Sequence, residues 1–192
     1  MQYSRSITLR DGRSCTLRHG VAADGEAVLR SFVQLRMQTD FLLAYADEIR
    51  FTAEQEAHLL QAKADSPDEV LLIAEVDGAI AGTAGVDALG RRDKVRHRAT
   101  FGISLDQAYW GLGIGTALTA ACIECARQAG YEQLELEVVE DNVRAISLYR
   151  RAGFVEYGRN PLGLRPRTGG YQALLAMRLE LSGPSPLPPP NH

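Results

Sequence analysis

Hydrophobic and polar residues alternate with two different periods along this chain, and each change of period marks the boundary of a predicted element. A two-residue period is typical of a strand with one buried face, whereas a spacing of three to four residues is typical of an amphipathic helix. The two-residue period and short apolar runs predict strands at 7–10, 15–18, 70–76, 79–86, 99–105, 134–139, 154–157 and 171–181. Helical spacing predicts helices at 22–37, 52–64, 113–129 and 142–151.

Turn and capping residues support these boundaries. Thr52, followed three residues later by Gln55, has the pattern of a capping box. Asp77-Gly78 lies between two apolar runs and predicts a tight hairpin turn, and Gly130 and Gly153 stand where helices commonly end. Antiparallel hairpins therefore come first and a β-α-β crossover follows. This order predicts an α/β (α+β) fold with a mixed sheet.

Composition agrees with one folded domain. The chain has 192 residues, of which 45% are hydrophobic and 23% are charged, and these values are ordinary for a globular protein. The last eleven residues hold five of the eight prolines and no core-forming pattern. We therefore expect a single domain over 1–181 and a disordered Pro-rich tail over 182–192.

Charge and hydropathy exclude some classes of partner. The net charge of −3 argues against a nucleic-acid-binding role, which needs a basic surface. No apolar run approaches the ~20 residues that span a bilayer, and residues 1–13 are too polar for a signal peptide. We expect a cytoplasmic protein with neither a nucleic-acid partner nor a membrane partner.

The three cysteines do not indicate a metal or redox centre. Cys122 and Cys125 have the C-x-x-C spacing of such sites, but they lie in an apolar stretch that predicts the middle of a helix. Redox pairs lie at helix N-termini, and no second Cys or His pair is near enough in sequence to complete a zinc site. We expect side chains that pack on a helix, and no metal.

A glycine-rich turn between a predicted strand and a predicted helix carries the clearest functional signal. Gly111, Gly113 and Gly115 occupy every second position, and glycine lets the backbone turn sharply and approach a ligand closely. Free N–H groups at the start of the next helix suit a phosphate, so we expect a pyrophosphate ligand. A dinucleotide fold would need glycine at 116, where Thr116 stands, and a triphosphate-binding loop would need a lysine after the glycines. A turn that only permits tight packing is the alternative.

A second block follows one helix and one strand later. It reads Asn142-Val-Arg-Ala-Ile-Ser-Leu-Tyr149 and, after three further residues, Gly153-Phe154. Together with the glycine turn, this block resembles the GNAT superfamily of N-acetyltransferases. That family joins a turn of the form Gln/Arg-x-x-Gly-x-Gly/Ala to a later N-x-x-A-x-x-L-Y-x-x-x-G-F. The resemblance covers roughly residues 8–181. It implies a centrally splayed sheet flanked by helices, acetyl-CoA as cosubstrate, and transfer of the acetyl group to a primary amine.

The resemblance also implies roles for particular residues. The turn is expected to bind the CoA pyrophosphate through its backbone, at Gly111, Leu112, Gly113, Ile114, Gly115 and Thr116. The backbone of Ile103 and Leu105 and the side-chain amide of Asn142 are expected to bind the pantetheine arm. Tyr149 is expected near the thioester sulfur, where its hydroxyl can protonate the departing thiolate. The Leu105 amide can stabilise the oxyanion, and direct attack in a ternary complex needs no covalent enzyme intermediate.

Two positions depart from the family pattern. Trp110 replaces the Gln or Arg at the head of the turn, although the N–H groups make most of the phosphate site. Thr100 stands where many relatives carry a glutamate base, and a hydroxyl does not accept a proton at neutral pH. A water chain, His97, Glu137 and Glu140 are the alternatives for the base. Thr100 also keeps a rival open, namely a non-catalytic acyl-CoA-binding or regulatory module on the same fold.

The acceptor is left open between a small-molecule amine and a protein N-terminal amine, and the assembly between a monomer and a homodimer. The segment 40–48 connects the first two helices. Its carboxylates, Asp40, Asp47 and Glu48, can attract a cationic amine, and Phe41 and Tyr45 can wall a pocket. A helix that continues with a polar outer face is the plain alternative for this segment.

Overall fold

The computed structural model describes residues 1–181, so the predicted Pro-rich tail at 182–192 lies outside the described residues. The strands of this range are β1 Ser4–Thr8, β2 Ser14–His19, β3 Val70–Val76, β4 Ala79–Ala88, β5 Arg98–Leu105, β6 Gln133–Val139, β7 Val155–Leu164 and β8 Gln172–Glu180. Its α-helices are α1 Gly25–Gln38, α2 Ala53–Asp65, α3 Ile114–Gln128 and α4 Val143–Arg151. None of these helices combines the length and the hydrophobicity that a membrane span requires.

The strands form one sheet in the order β1-β2-β3-β4-β5-β6-β8-β7. Neighbouring strands are antiparallel except β5 and β6, which are parallel and are connected through α3. This parallel pair is hydrogen-bonded only where 98–100 meets 133–135. Beyond those residues the two strands diverge and leave a gap in the middle of the sheet. The predicted mixed, centrally splayed sheet flanked by helices is confirmed.

Helices cover both faces of the sheet. On one face α3 buries Ile114 against a core that includes Leu72 of β3. On the other face, Val28 of α1 and Leu60 of α2 pack against Ile73. Because successive side chains of a strand point to opposite faces, Leu72 and Ile73 identify the two sides of the same sheet. The gap between β5 and β6 therefore connects the α3 face with the face that α1 and α2 cover.

The predicted capping box and hairpin turn are confirmed. The Thr52 hydroxyl accepts the Gln55 N–H at 3.2 Å, and the Gln55 side-chain oxygen accepts the Thr52 N–H at 2.9 Å. At the turn between β3 and β4, Asp77 has φ 51° and Gly78 has φ 78°. Two successive positive φ values give the turn whose twist matches the flanking strands, so the register of this hairpin is set locally.

Two strands differ from the sequence prediction by three or more residues at one end, β1 and β7, and the other strands differ by at most two. β1 was expected at 7–10 but lies at Ser4–Thr8, because Leu9 already belongs to the turn: its N–H donates to the Arg13 carbonyl at 2.8 Å. β7 was expected at 154–157 but continues to Leu164. Its pairing with β8 shifts register at two places, and such bulges let an edge strand accommodate glycine and proline.

The C-x-x-C pair lies within α3, as the apolar pattern predicts. Cys122 and Cys125 are free and buried. Burial raises the pKa of the Cys125 thiol to about 11 and raises the pKa of Cys122 well above its usual range. Because both thiols stay protonated at neutral pH, neither has the thiolate character of a redox cysteine. Their role is packing, as predicted.

Candidate active site

A cleft of about 690 Å³ opens where β5 and β6 diverge. Most of the predicted site residues line it, namely Ile103, Leu105, Gly111, Gly113, Gly115, Thr116, Asn142 and Tyr149. Leu112 and Ile114 do not line it. The Ile114 side chain is buried in the core, and the Leu112 carbonyl accepts the Arg10 N–H at 3.2 Å. Any contribution of these two residues to ligand binding is restricted to their amides.

Ile103 and Leu105 present backbone groups to this gap. The N–H of Asp106 donates to the Ala81 carbonyl of β4 at 2.9 Å. Since backbone groups of a strand alternate between its two edges, those of Ile103 and Leu105 point away from β4, toward β6. The indole N–H of Trp110 donates to the Leu105 carbonyl at 2.9 Å. The Leu105 amide thus faces the gap. Trp110, which the sequence analysis treated only as a replacement for Gln or Arg, also fixes the position of the Leu105 carbonyl.

The glycine-rich turn has the open backbone that its sequence predicts. Gly111 has φ 81° and Gly113 has φ 100°, a region that other residues avoid. A Cβ added at either position would meet no atom within 4 Å, so backbone conformation rather than crowding requires glycine here. Gly113 is the N-cap of α3 and provides no side-chain cap. The first amides of α3 therefore have no helical partner and point out of the helix end, toward the cleft.

Three arginines line the cleft, two of them beside the glycine-rich turn, and all three were missed by the sequence analysis. Arg10 donates from Nη1 to the Gly111 carbonyl at 3.2 Å. Arg144 lies over the Trp110 ring, 4.9 Å from its centre. Arg151 belongs to the same helix as Arg144 and also lines the cleft. A spacing of seven residues puts Arg144 and Arg151 on one helix face, a signal that the sequence contains. This end of the cleft is suited to a polyanion.

Asn142 caps the helix that carries Tyr149. Its side-chain oxygen accepts the Ala145 N–H at 3.1 Å, so Asn142 is the N-cap of α4. The cap fixes the first turn of α4, and Asn142 lines the cleft. Because the side-chain oxygen accepts the helix amide, the side-chain NH₂ group is the part left to donate to a ligand.

Tyr149 lies at the centre of the cleft, with 7% of its surface exposed. Its ring packs edge-on against Phe101, with 6.0 Å between centroids, and lies tilted against Phe154, with 5.9 Å between centroids. Burial raises the pKa of the Tyr149 hydroxyl to about 12. The hydroxyl therefore keeps its proton throughout the neutral range and can donate it, while the two aromatic neighbours hold the ring in place.

The face covered by α1 and α2 forms a second chamber of the same cleft. Its floor consists of two cross-strand pairs of β4 and β5, Thr83 with Ser104 and Gly85 with Gly102, and of Asp87, which pairs with Thr100. The two hydroxyls of the first pair lie 3.2 Å apart. Phe32, Leu35 and Phe41 wall this chamber. It is an apolar space with hydroxyl groups at one end and a carboxylate at the other.

The candidate bases occupy different environments. Glu137 and Asp87 are the carboxylates that line the cleft, and sequence reasoning named only the first. His97 and Glu140 do not line it, and Glu140 pairs with Arg159 at 2.7 Å. The Arg159 guanidinium lowers the pKa of Glu140. Glu140 is therefore held ionised at a distance from the cleft.

Asp40, Asp47 and Glu48 of segment 40–48 do not line the acceptor chamber. Asp47 pairs with Arg167 at 2.9 Å and Glu48 with the same guanidinium at 3.7 Å. The Arg167 guanidinium also stacks on the Tyr45 ring at 4.2 Å. These contacts join the connection between α1 and α2 to the loop between β7 and β8. Of the expected pocket residues in this segment, Phe41 alone lines the cleft.

Comparison with known proteins identifies this architecture. A family model described as "Acetyltransferase (GNAT) family" matches residues 35–154. The chain is similar to the L-amino acid N-acetyltransferase AaaT of Escherichia coli (strain K12), with 28% identity over 139 residues, which is 72% of this chain and 81% of that protein.

Solved structures agree. The chain is similar to an acetyltransferase of the GNAT family from Streptococcus pneumoniae, with a TM-score of 0.83 and 27% identity over 88% of this chain and 99% of that one. It shares the fold of yncA from Salmonella typhimurium, solved with its cofactor acetyl-CoA. There the TM-score is 0.79 and the identity 20%, over 89% of this chain and 96% of that one.

Proposed function

Because the chain belongs to the GNAT family of acetyltransferases, we propose that it moves the acetyl group of acetyl-CoA to a primary amine by direct attack in a ternary complex. The divergence of β5 and β6 beyond residues 100 and 135 is the observation that carries this proposal. It opens one continuous cleft that has a polyanion site at one end and an apolar chamber at the other.

The cofactor end of the cleft fits CoA. Amides at the start of α3 bind the pyrophosphate, and the open backbone at Gly111 and Gly113 lets the phosphates approach them. The cationic side chains of Arg10, Arg144 and Arg151 attract its phosphates. Backbone groups of Ile103 and Leu105, with the Asn142 amide, bind the pantetheine arm. When bound, acetyl-CoA supplies an activated thioester carbonyl in the gap between the strands.

Two residues of this chain then act on the thioester, one on its carbonyl oxygen and one on its sulfur. The Leu105 amide donates to the carbonyl oxygen as negative charge develops on it, because that amide points into the gap and not toward β4. Tyr149 holds a proton at the position of the leaving sulfur and donates it as the carbon–sulfur bond breaks. The nitrogen of the acceptor attacks from the chamber beneath α1, opposite the CoA arm.

The acceptor chamber favours an amine attached to an apolar body. Its walls are aromatic and aliphatic, and its charged side chains are the carboxylates Asp87 and Glu137. A carboxylate attracts an ammonium group and repels an anionic acceptor. The relative AaaT is named for acetylation of L-amino acids, which supports an acceptor that carries a free amino group.

Amine-dependent release of CoA tests this proposal. Initial rates of thiol release are measured with acetyl-CoA and a panel of L-amino acids, short peptides with free N-termini, and polyamines. The N-acetylated form of each amine serves as the matched control. We expect release with at least one free amine and none with its acetylated form. Calorimetric binding of acetyl-CoA without release for any amine would instead support the non-catalytic module.

A further inference from the structure

The side chain that faces position 100 across the sheet is a carboxylate. Thr100 of β5 pairs directly with Asp87 of β4, and the Thr100 hydroxyl donates to the Asp87 carbonyl at 3.4 Å. Directly opposed residues of an antiparallel pair lie on the same face, with Cβ atoms ~5 Å apart. The Asp87 carboxylate therefore lies in the region of the cleft that a longer acidic side chain at position 100 would reach.

A floor of two glycines connects Asp87 with the gap in the sheet. The next pair on this face is Gly85 with Gly102. A Cβ at Gly102 would meet no atom within 4 Å, whereas a Cβ at Gly85 would lie 3.3 Å from the Val70 carbonyl oxygen, 3.6 Å from Oδ2 of Asp87 and 3.9 Å from Nζ of Lys63. Neither residue places a side chain between the carboxylate and the gap. From Thr100 to Ile103, whose backbone faces the gap, the distance along the strand is only ~10 Å.

Lys63 holds one oxygen of this carboxylate. It extends from α2 and forms an ion pair with Oδ1 of Asp87. The Lys63 side chain is 20% exposed, whereas the Asp87 side chain is 49% exposed and lines the cleft. The ammonium thus fixes one carboxylate oxygen, while about half of the Asp87 side chain stays exposed to the cleft.

Other charged groups surround this position. Glu135 of β6 lies beside Thr100 and pairs with Arg98, and Glu56 is buried on the same helix as Lys63. On the β3 side, Glu69 accepts the N–H of Ala88 and pairs with Arg91. Glu137 of β6 lies in the same cleft, beyond the point where β5 and β6 separate. Asp87 is therefore the carboxylate that lies on the floor of the acceptor chamber and faces a fixed cation.

We propose, on the basis of the acetyl transfer proposed above, that Asp87 attracts the ammonium group of the acceptor and takes its proton through water on the Gly85–Gly102 floor. One proton passes from nitrogen to water and from water to Asp87. The free electron pair then forms the carbon–nitrogen bond as the carbon–sulfur bond breaks. Tyr149 gives a proton to the sulfur and regains one from the nitrogen. Asp87 finally releases its proton to solvent, so each turnover yields amide, CoA thiol and one proton.

The variant Asp87→Asn in the full chain tests this role. With acetyl-CoA saturating, kcat/KM for the amine is expected to fall ~100-fold at pH 7. The deficit shrinks as the pH rises, because an acceptor that is already deprotonated in solution needs no base. The Kd of acetyl-CoA is expected to stay unchanged, since Asp87 lies at the other end of the cleft. Asp93→Asn, in the exposed loop between β4 and β5, is the matched control.

A rescue experiment separates this role from a structural one. In Asp87→Asn/Thr100→Glu, the cross-strand neighbour supplies the carboxylate, and kcat/KM is expected to recover at least ten-fold. A structural loss would not respond to this change, and circular dichroism checks the fold of each variant. An active wild type with an unchanged pH profile in Asp87→Asn overturns the role of Asp87 alone. The same holds if Glu137→Gln reproduces the pH-dependent loss and Asp87→Asn does not. A wild type without amine-dependent CoA release overturns the proposed function together with this role.

Discussion

Replacing Gly113 by alanine separates the stability of the glycine-rich turn from its ligand role. Gly113 has φ 100°, and its added Cβ would meet no atom within 4 Å. The cost to folding is therefore the cost of placing an L side chain at positive φ, ~1–2 kcal/mol. For a domain of this size, a change of 1 kcal/mol lowers Tm by roughly 2–4 °C. The expected loss for Gly113→Ala is about 2–8 °C.

The effect on acetyl-CoA is expected to exceed the effect on folding. Gly113 is the N-cap of α3, so a backbone that relaxes away from positive φ also turns the first helix amides away from the phosphates. Losing one hydrogen bond to a charged group costs ~1.5–3 kcal/mol, which corresponds to a rise of roughly 10- to 150-fold in Kd. Isothermal titration calorimetry with acetyl-CoA measures this rise, and thermal unfolding measures the stability.

Gly130→Ala is the matched control for this prediction. Gly130 follows the other end of α3 and has φ 83°, and a Cβ added there would likewise meet no atom within 4 Å. Both variants are expected to lose similar stability, and only Gly113→Ala is expected to lose affinity. If both keep the wild-type Kd, or if Gly130→Ala weakens binding equally, the assignment of the pyrophosphate to this turn is wrong.

Three further predictions follow from other residues. Tyr149→Phe is expected to lower kcat by ~100-fold or more while the Kd of acetyl-CoA stays unchanged. Because the pKa of the wild-type hydroxyl is about 12, the wild-type kcat should show no loss from Tyr149 ionisation between pH 6 and ~10. Arg144→Ala/Arg151→Ala is expected to raise the Kd of acetyl-CoA ~10-fold and weaken its dependence on salt, without a change in kcat, in titrations at two ionic strengths. Glu135 is buried, and the Arg98 guanidinium lowers its pKa. The stability that this pair gives is present above the pKa of the unfolded chain, near 4.5, and is lost as the pH falls through the lower pKa of the folded state. Glu135→Gln should therefore make the free energy of unfolding depend less on pH at acid pH. An acid transition identical to wild type would contradict the Glu135 assignment.

Local chemistry explains which parts of the fold the sequence predicts. The Thr52 capping box, the Asp77-Gly78 turn and the Asn142 N-cap each depend on residues within four positions of one another. The glycine turn is equally local, because positive φ and an uncapped helix start are properties of the segment itself. These signals place α2, α3, α4 and the β3–β4 hairpin close to their observed limits.

The acceptor side of the site depends on long-range register and was not predicted. Asp87 and Thr100 are thirteen residues apart and meet only because β4 and β5 pair in one register. Lys63 reaches Asp87 from a helix that precedes both strands. Segment 40–48 was predicted as a possible amine site, but Arg167 from the β7–β8 loop forms ion pairs with Asp47 and Glu48. No periodicity in the sequence specifies such partners, since each depends on how distant elements pack.

A single-turnover experiment with acetyl-CoA labelled in the acetyl group tests the central claim most directly. The full chain is incubated with labelled acetyl-CoA, first without and then with an amine that supports CoA release, and intact-mass spectrometry follows protein and amine. Direct transfer across the gap between β5 and β6 predicts that the protein mass never changes and that the label appears on the amine nitrogen in step with CoA release. An acetylated protein that forms without amine and passes its label to the amine would contradict this account.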